Sequence, residues 1–331
     1  MVWAKDKRGA LAFQKLFKFY ANQLLSGIMI VDTKDRVAVF GGRRIGDTLI
    51  SLVYANNLQK SGYDVTVFSA IFPQFAKLFP QFKFDDSIYE WGPHTEKETP
   101  HPKLKGYAFK LFPSSGHCFV HTDPDVEAKI WKKGPNLFHE RISLSHIAQK
   151  ACKTMLELPY AEQTNGIHLP EGFLPRKYPN RVLIHPTASN KPKSWQKRKF
   201  IKLATRLQRR GFEPTFWLAP YERPEWADCP FPLIPKGNFF DIACFAYESG
   251  YFIGNDSGIG HLCSNLGVPT LTLSQRKTLG TRWRPSWATG HLLYPKPLLP
   301  GGKLKERFWK HLMSVTRAEK GFNALLEKVS S

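Results

Sequence analysis

An apolar run over residues 246–253 ends in Gly254-Asn255-Asp256-Ser257-Gly258-Ile259-Gly260-His261, and a short helical pattern then continues until Gly267 and Pro269 close it. A buried strand that turns through Asp-Ser-Gly straight into a helix belongs to an α/β sheet. The first N–H groups of such a helix lack partners, and the helix dipole adds partial positive charge there. The turn is therefore a seat for a phosphate. A second stretch of this kind, His185-Pro-Thr-Ala-Ser-Asn-Lys-Pro-Lys-Ser-Trp195, follows the apolar strand Val182–Ile184. Two such loops in one α/β half point to a bound diphosphate, and so to an activated, phosphorylated small molecule.

The rest of the chain alternates in the same way. Val37–Phe40 reads as a buried strand, Gly41-Gly42 as a turn, Ile45–Lys60 as a helix ended by Gly62, and Val65–Phe68 as the next strand. This βαβ opening predicts a parallel sheet. The pattern breaks into short pieces with Pro and His over 85–125, and Ile142–Leu158 reads as a helix. Pro159, Gly166, Pro170, Gly172, Pro175 and Pro179 mark a joint. Beyond it, strands are expected at Arg181–His185, Pro214–Leu218, Tyr251–Gly254 and Thr270–Leu273. Helices are expected near Lys199–Arg210, Asp241–Glu248 and Ile259–Leu266, with a single tail helix over Lys305–Val329. The expected division is an N-terminal domain (1–165), a linker (166–180), a second α/β domain with both phosphate-seeking loops (181–304) and a C-terminal helix (305–331). Ligands of open α/β sheets sit at the carboxyl ends of the strands, so the active site is expected in the cleft between the two domains.

With 48 Lys and Arg against 27 Asp and Glu, the 331-residue chain carries a net charge of +21. That favours a polyanionic partner: nucleic acid, an anionic membrane face or a phosphorylated glycolipid. No zinc-finger spacing, RNP-like motif or isolated basic tail is present, so nucleic acid is not expected. No segment approaches the roughly 18–20 apolar residues of a membrane span, and the N-terminus does not read as a secretory signal. In residues 1–25, Phe13, Leu16, Phe17, Tyr20 and Leu24 follow helical spacing, with Lys15 and Lys18 off that stripe. Such a helix either packs on the body or lies on anionic lipid. Cysteines at 118, 152, 229, 244 and 263 are odd in number and irregular in spacing, as expected of reduced thiols.

Three places carry the chemistry. In Gly41-Gly-Arg-Arg-Ile-Gly-Asp47 the glycines let a ligand approach the backbone. Asp47 falls at the helix start, where it is either an N-terminal cap or a carboxylate that takes a proton from an acceptor hydroxyl. Arg43, Arg44 and Gly46 share that turn on the acceptor side. Lys191, Lys193, Lys197, Arg198 and Lys199 form either a solvated basic loop or, through Lys193 with Thr187 and Ser189, the partner of a leaving diphosphate. In the third place Asp256 holds the loop or a sugar hydroxyl, while the N–H groups at Ser257 and Gly258 take the phosphate. His261, one turn on, is either a structural histidine or a further ligand contact.

Together these stretches resemble glycosyltransferase family 9, the bacterial lipopolysaccharide heptosyltransferases. Ile45-Gly-Asp-Thr-Leu-Ile50 is similar to the family's first turn and helix. His185-Pro-Thr-Ala-Ser with Lys193-Ser-Trp195 is similar to its central phosphate loop, and Gly254–His261 with Leu266-Gly-Val-Pro-Thr270 to its C-terminal donor motif. The resemblance implies a GT-B fold, in which two Rossmann-like domains face each other across a cleft. It implies inverting transfer of heptose from an ADP-sugar to the lipid A-linked inner core, with no metal and no cofactor, by a cytoplasmic enzyme attached at the inner face of the inner membrane. On it, Asp47 is the catalytic base. Lys193 and Thr187 meet the diphosphate, Asp256, Ser257 and Gly258 form the donor loop, and Glu222 takes the acidic position that grips the ribose.

Competing readings are weaker. Asp123-Pro-Asp125 spells the metal site of a GT-A transferase, but the intervening Pro suits a turn. His117, Cys118, His121 and Asp123 fit no closed zinc spacing. The turn at Gly41 does not spell the G-x-G-x-x-G of a dehydrogenase. A binding protein that uses its charge without chemistry would bind in a steeply salt-dependent way, with no dependence on Asp47.

Overall fold

The structure, a computed structural model, describes residues 36–42, 44–71, 76–88, 102–104, 106–114, 117–122, 132–133, 142–275, 277–295 and 302–331. The amphipathic segment at the N-terminus, Arg43 and the Asp123-Pro-Asp125 sequence lie outside them.

Two sheets organise the chain. The first has the order β3-β2-β1-β4-β5-β6. Its strands are β1 (Arg36–Phe40), β2 (Asp64–Phe68), β3 (Lys83–Asp85), β4 (Phe109–Ser114), β5 (His117–Thr122) and β6 (Lys132–Lys133). β1 to β4 are parallel, whereas β5 pairs antiparallel with both β4 and β6. The region 85–125 that broke up in sequence thus supplies two strands, β4 and β5. The second sheet is wholly parallel, in the order β11-β10-β9-β7-β8. It contains β7 (Tyr178–His185), β8 (Glu213–Phe216), β9 (Ser249–Asn255), β10 (Thr270–Leu273) and β11 (Gly290–Leu293).

Helix α1 (Ile45–Lys60) follows β1. It has no polar face: Gly46 and residues 48–58 are all buried, as expected of a helix enclosed on every side. Its buried polar groups are satisfied, as such groups must be. Asn57 Nδ2 donates to Val53 O (2.7 Å) and Glu162 O (2.9 Å), and Asn56 Nδ2 donates to Thr164 O (3.1 Å). Leu49 O accepts from Asn165 Nδ2 at 3.0 Å. Residues 162–165, at the start of the Pro- and Gly-rich joint, are thereby stitched along α1. Helix α2 (Leu144–Thr154) packs on α1.

The second sheet is covered by α3 (Lys197–Gln208), α4 (Phe239–Tyr247), α5 (Gly258–Asn265), α6 (Lys277–Trp283), α7 (Gly302–Leu312) and α8 (Val315–Ser330). The expected single tail helix is two helices. Ser314 caps the second, its Oγ accepting from Arg317 N at 3.1 Å, the role serine fills best. α8 lies on α3, β10 and β11. One apolar cluster runs from Val37, Leu49 and Val53 through to Ile259, Leu262 and Val268, so residues of both sheets' layers share a core. The described cysteines, 152, 229, 244 and 263, are free. Among the described residues no helix is long and apolar enough to cross a membrane.

Candidate active site

The amino ends of α1 and α5 meet. A Cβ added to Gly258 would lie 2.6 Å from Ile45 Cβ and 3.0 Å from Gly46 N, and one added to Gly46 would lie 3.1 Å from His261 Cδ2. Only glycines allow this approach. It brings the turn after β1 against the turn after β9, so both helix amino ends with their unpaired N–H groups border one place.

Asp47 stands in the first turn of α1, over Gly42, whose added Cβ would come 2.3 Å from Asp47 Cβ. The N-cap residue of this helix, Arg44, makes no side-chain cap bond. Burial raises its pKa above the ordinary aspartate value, against the opposing charges of Arg44 and Lys193. Asp256 is also raised, to about 6, chiefly by burial. Lys193 pulls it down and Asp47 pushes it up. Both carboxylates feel the Lys193 charge and Asp256 also feels Asp47, so the three groups lie within electrostatic reach, two carboxylates around one ammonium.

Lys193 is held by its backbone. Residues 191–193 form a 3₁₀ turn capped by Asn190, whose Oδ1 accepts from Lys193 N at 3.1 Å. Pro192 O accepts from Gln275 Nε2 (2.9 Å) and Trp309 Nε1 (2.9 Å). Trp195 Nε1 donates to Met313 O at 3.0 Å. The loop is thus braced by the segment after β10 and by the C-terminal helices. The buried Asn255 bolts it to the end of β9: its Oδ1 accepts from Trp195 N at 3.0 Å and its Nδ2 donates to Pro186 O at 2.7 Å. Sequence reading gave Asn255, Gln275 and Trp309 no role. A buried Asn at a strand end was the only available signal.

The remaining expected residues divide. Ser257 caps α5, its Oγ accepting from Gly260 N at 3.5 Å. His261 is buried and edge-on to Trp287 at 6.0 Å. Burial pushes its imidazole down to about 4, against a hydrogen bond with the Trp283 backbone, so the ring is neutral at physiological pH and brings no charge to a phosphate. Its Nδ1 has no hydrogen-bond partner among the described residues. Thr187 Oγ1 lies 3.3 Å from Nε2 of the buried His185, whose Nδ1 donates to Trp217 O at 3.1 Å and whose ring packs 4.5 Å from the Trp217 indole. Ser189 is exposed. Glu222 closes its own turn, Oε2 accepting from Ala219 N at 2.8 Å, and its charge reaches His185. Arg44 is exposed beside Asp47. No cluster of His, Cys, Asp or Glu that could hold a metal ion occurs among the described residues.

Comparison with known proteins bears on the domain and the fold. The family model for glycosyltransferase family 9 (heptosyltransferase) matches residues 147–288. That stretch holds the Lys193 loop and the Asp256 turn but not Asp47. No curated protein matches in sequence. Among solved structures, a glycosyl transferase family 9 protein from Veillonella parvula superposes with TM-score 0.62 at 14% identity, covering 91% of this chain and 100% of that one. E. coli ADP-heptose lps heptosyltransferase II gives 0.61 at 11%, covering 90% and 100%. E. coli heptosyltransferase WaaC with ADP gives 0.55 at 12%, covering 88% and 99%. At these identities the likeness establishes the fold, that of the GT-B transferases. Residues 147–288 of this chain match a family 9 glycosyltransferase domain, set within the GT-B fold.

Proposed function

We propose that the enzyme transfers heptose from ADP-heptose to the lipid A-linked inner core of lipopolysaccharide, with inversion and without a metal ion. The observation that carries this reading is the gathering of Asp47, Lys193 and Asp256 at the meeting of α1 and α5, in a chain whose donor half matches the heptosyltransferase family. The acceptor hydroxyl oxygen attacks the anomeric carbon while Asp47 takes its proton. The bond from that carbon to the phosphate oxygen breaks, and ADP leaves from the opposite face with the electron pair. Lys193, the Thr187 hydroxyl and the N–H groups that open α5 meet the charge on the diphosphate. A carboxylate whose pKa burial has raised is a better base, and the nearby Arg44 and Lys193 charges oppose that rise. Ser189 and His261 complete the donor side, Glu222 grips the ribose, and Arg43, Arg44 and Gly46 border the acceptor. The acceptor is an anionic glycolipid, and a chain of charge +21 works in the cytoplasm, peripherally at the inner face of the inner membrane.

The test is transfer from ADP-heptose to a lipid A-linked core acceptor in excess EDTA, with the anomeric configuration of the product determined. Undiminished transfer with inversion is expected. Loss of activity restored by Mg²⁺ or Mn²⁺, or retention of configuration, overturns the mechanism.

A further inference from the structure

A cavity of about 50 Å³ adjoins the donor site, lined by Lys193, Asp256, Leu273, Ser274, Gln275 and Trp283. The first two already belong to the diphosphate region. The other four come from the end of β10 and from α6, and the donor reading gives them no part. We propose that this cavity is the subsite for the exocyclic, hydroxyl-bearing arm of the donor sugar, with Gln275 and Trp283 as the residues that distinguish a heptose from a hexose; this rests on the donor-site reading above.

Three observations carry it. The first is position. The sugar is bonded to the phosphate that Lys193 meets, and its anomeric carbon must stay open to the acceptor on the Asp47 side. The remote part of the sugar must then extend along walls that Lys193 and Asp256 share, and this cavity has both. The second is size. A single water needs about 10–15 Å³ of such space, so the cavity holds a few non-hydrogen atoms, enough for an arm of two hydroxylated carbons rather than a whole pyranose ring. The third is chemistry. The Asp256 carboxylate and the Gln275 amide oxygen accept hydrogen bonds from neighbouring hydroxyls, and the Trp283 indole and Leu273 cover C–H faces, the mixture that sugar sites need. Gln275 also ties Pro192 O through Nε2 at 2.9 Å. Occupation of the cavity is thereby linked to the placement of the loop that carries Lys193.

The experiment measures binding of ADP, an ADP-hexose and ADP-heptose of the same ring configuration, by calorimetry, to the full chain and to its Gln275→Ala and Trp283→Phe variants. ADP affinity and a thermal melt report whether each variant keeps the fold and the diphosphate site. The full chain is expected to prefer ADP-heptose by about tenfold or more, the scale at which a pocket reads one extra hydroxylated carbon. In at least one variant that still binds ADP, the preference should fall to within about threefold. Equal binding of the two sugars by the full chain, or an unchanged preference in both variants, overturns the subsite. Failure of the full chain to bind ADP at all overturns instead the donor-site reading beneath it.

Discussion

Of the four lysines between residues 191 and 199, three are already engaged. Lys191 pairs with Glu225 at 2.9 Å, Lys197 pairs with Asp228, and Lys199 donates to the carbonyl of Met313 at 2.9 Å. The Lys193 ammonium has no such partner among the described residues and faces two carboxylates. Lys193→Ala should therefore weaken ADP binding by about 1.5–3 kcal/mol, the range for a hydrogen bond to a charged group, while Lys191→Ala leaves it nearly unchanged. Calorimetric titration decides; equal losses in the two variants would move the diphosphate away from Lys193. The same arrangement makes Asp256 a pH-dependent liability. Its carboxyl is raised from 3.8 to about 6 in the folded chain. Between roughly pH 4 and that value the folded state holds a proton that the unfolded chain, with an aspartate pKa of about 3.9, has released, so stability falls as pH rises through this window and the cost stays constant above it. Asp256→Asn should then melt higher than the parent protein above pH 6, with the two melting curves converging near pH 4. Parallel melting temperatures across that range would mean that the Asp256 carboxyl is not held up by burial.

At the scale of elements, the site depends on ties between segments far apart in the chain. Asn255 reaches a loop about sixty residues earlier, and replacing it with alanine leaves Trp195 N and Pro186 O unpaired in a buried place. Asn255→Ala should cost about 1–3 kcal/mol per orphaned group and weaken ADP binding with it. A variant as stable as the parent, with equal ADP affinity, would show that the loop needs no such bolt. Gly258→Ala probes the other joint. Its methyl would press on Ile45 and on the backbone of Gly46, and overpacking of this kind costs about 1–3 kcal/mol. A lowered melting temperature and impaired transfer are expected; no change in either would mean that the two helix starts are not in firm contact. These ties explain what sequence could and could not reveal. β1, α1, β2, β7 to β10 and α3 to α5 were legible because each is a local pattern of apolar spacing and glycine turns, whereas α6 and β11 were not read. The loops at Lys193 and Asp256 were legible as turns because a strand passing through Gly, Pro, Ser and Asp into a helix is also a local pattern. β4 and β5 were missed because Pro113, His117 and His121 interrupt their apolar pattern, with β5 pairing antiparallel to β4 beside otherwise parallel strands. The break at Ser314 was available as a capping serine but was hidden by the continuous helical spacing on either side. The bracing of Pro192 by Gln275 and Trp309 was not legible at all, since a side chain bonding to a distant carbonyl leaves no periodic trace.

For the molecule as a whole, the charge of +21 bears on where the acceptor is met. Each Lys or Arg near an anionic surface contributes about 1 kcal/mol, and that attraction fades as salt shortens the Debye length to about 8 Å at physiological ionic strength. The full chain should sediment with vesicles containing anionic lipid at low salt and be released by added NaCl; a chain starting near Val31 should sediment less if the amphipathic segment is the anchor. Indifference of the full chain to such vesicles would contradict the peripheral attachment. The central claim concerns the two halves acting as one site, with the base on α1 and the donor seat at the start of α5. It is tested most directly by Asp47→Asn, measured in two ways on one preparation. General-base loss lowers rates by about 10²–10⁴, so kcat for heptosyl transfer should fall by at least a hundredfold, while the affinity for ADP, held by the other half, stays within a few-fold of the parent. Transfer at near the parental rate by Asp47→Asn would contradict the account.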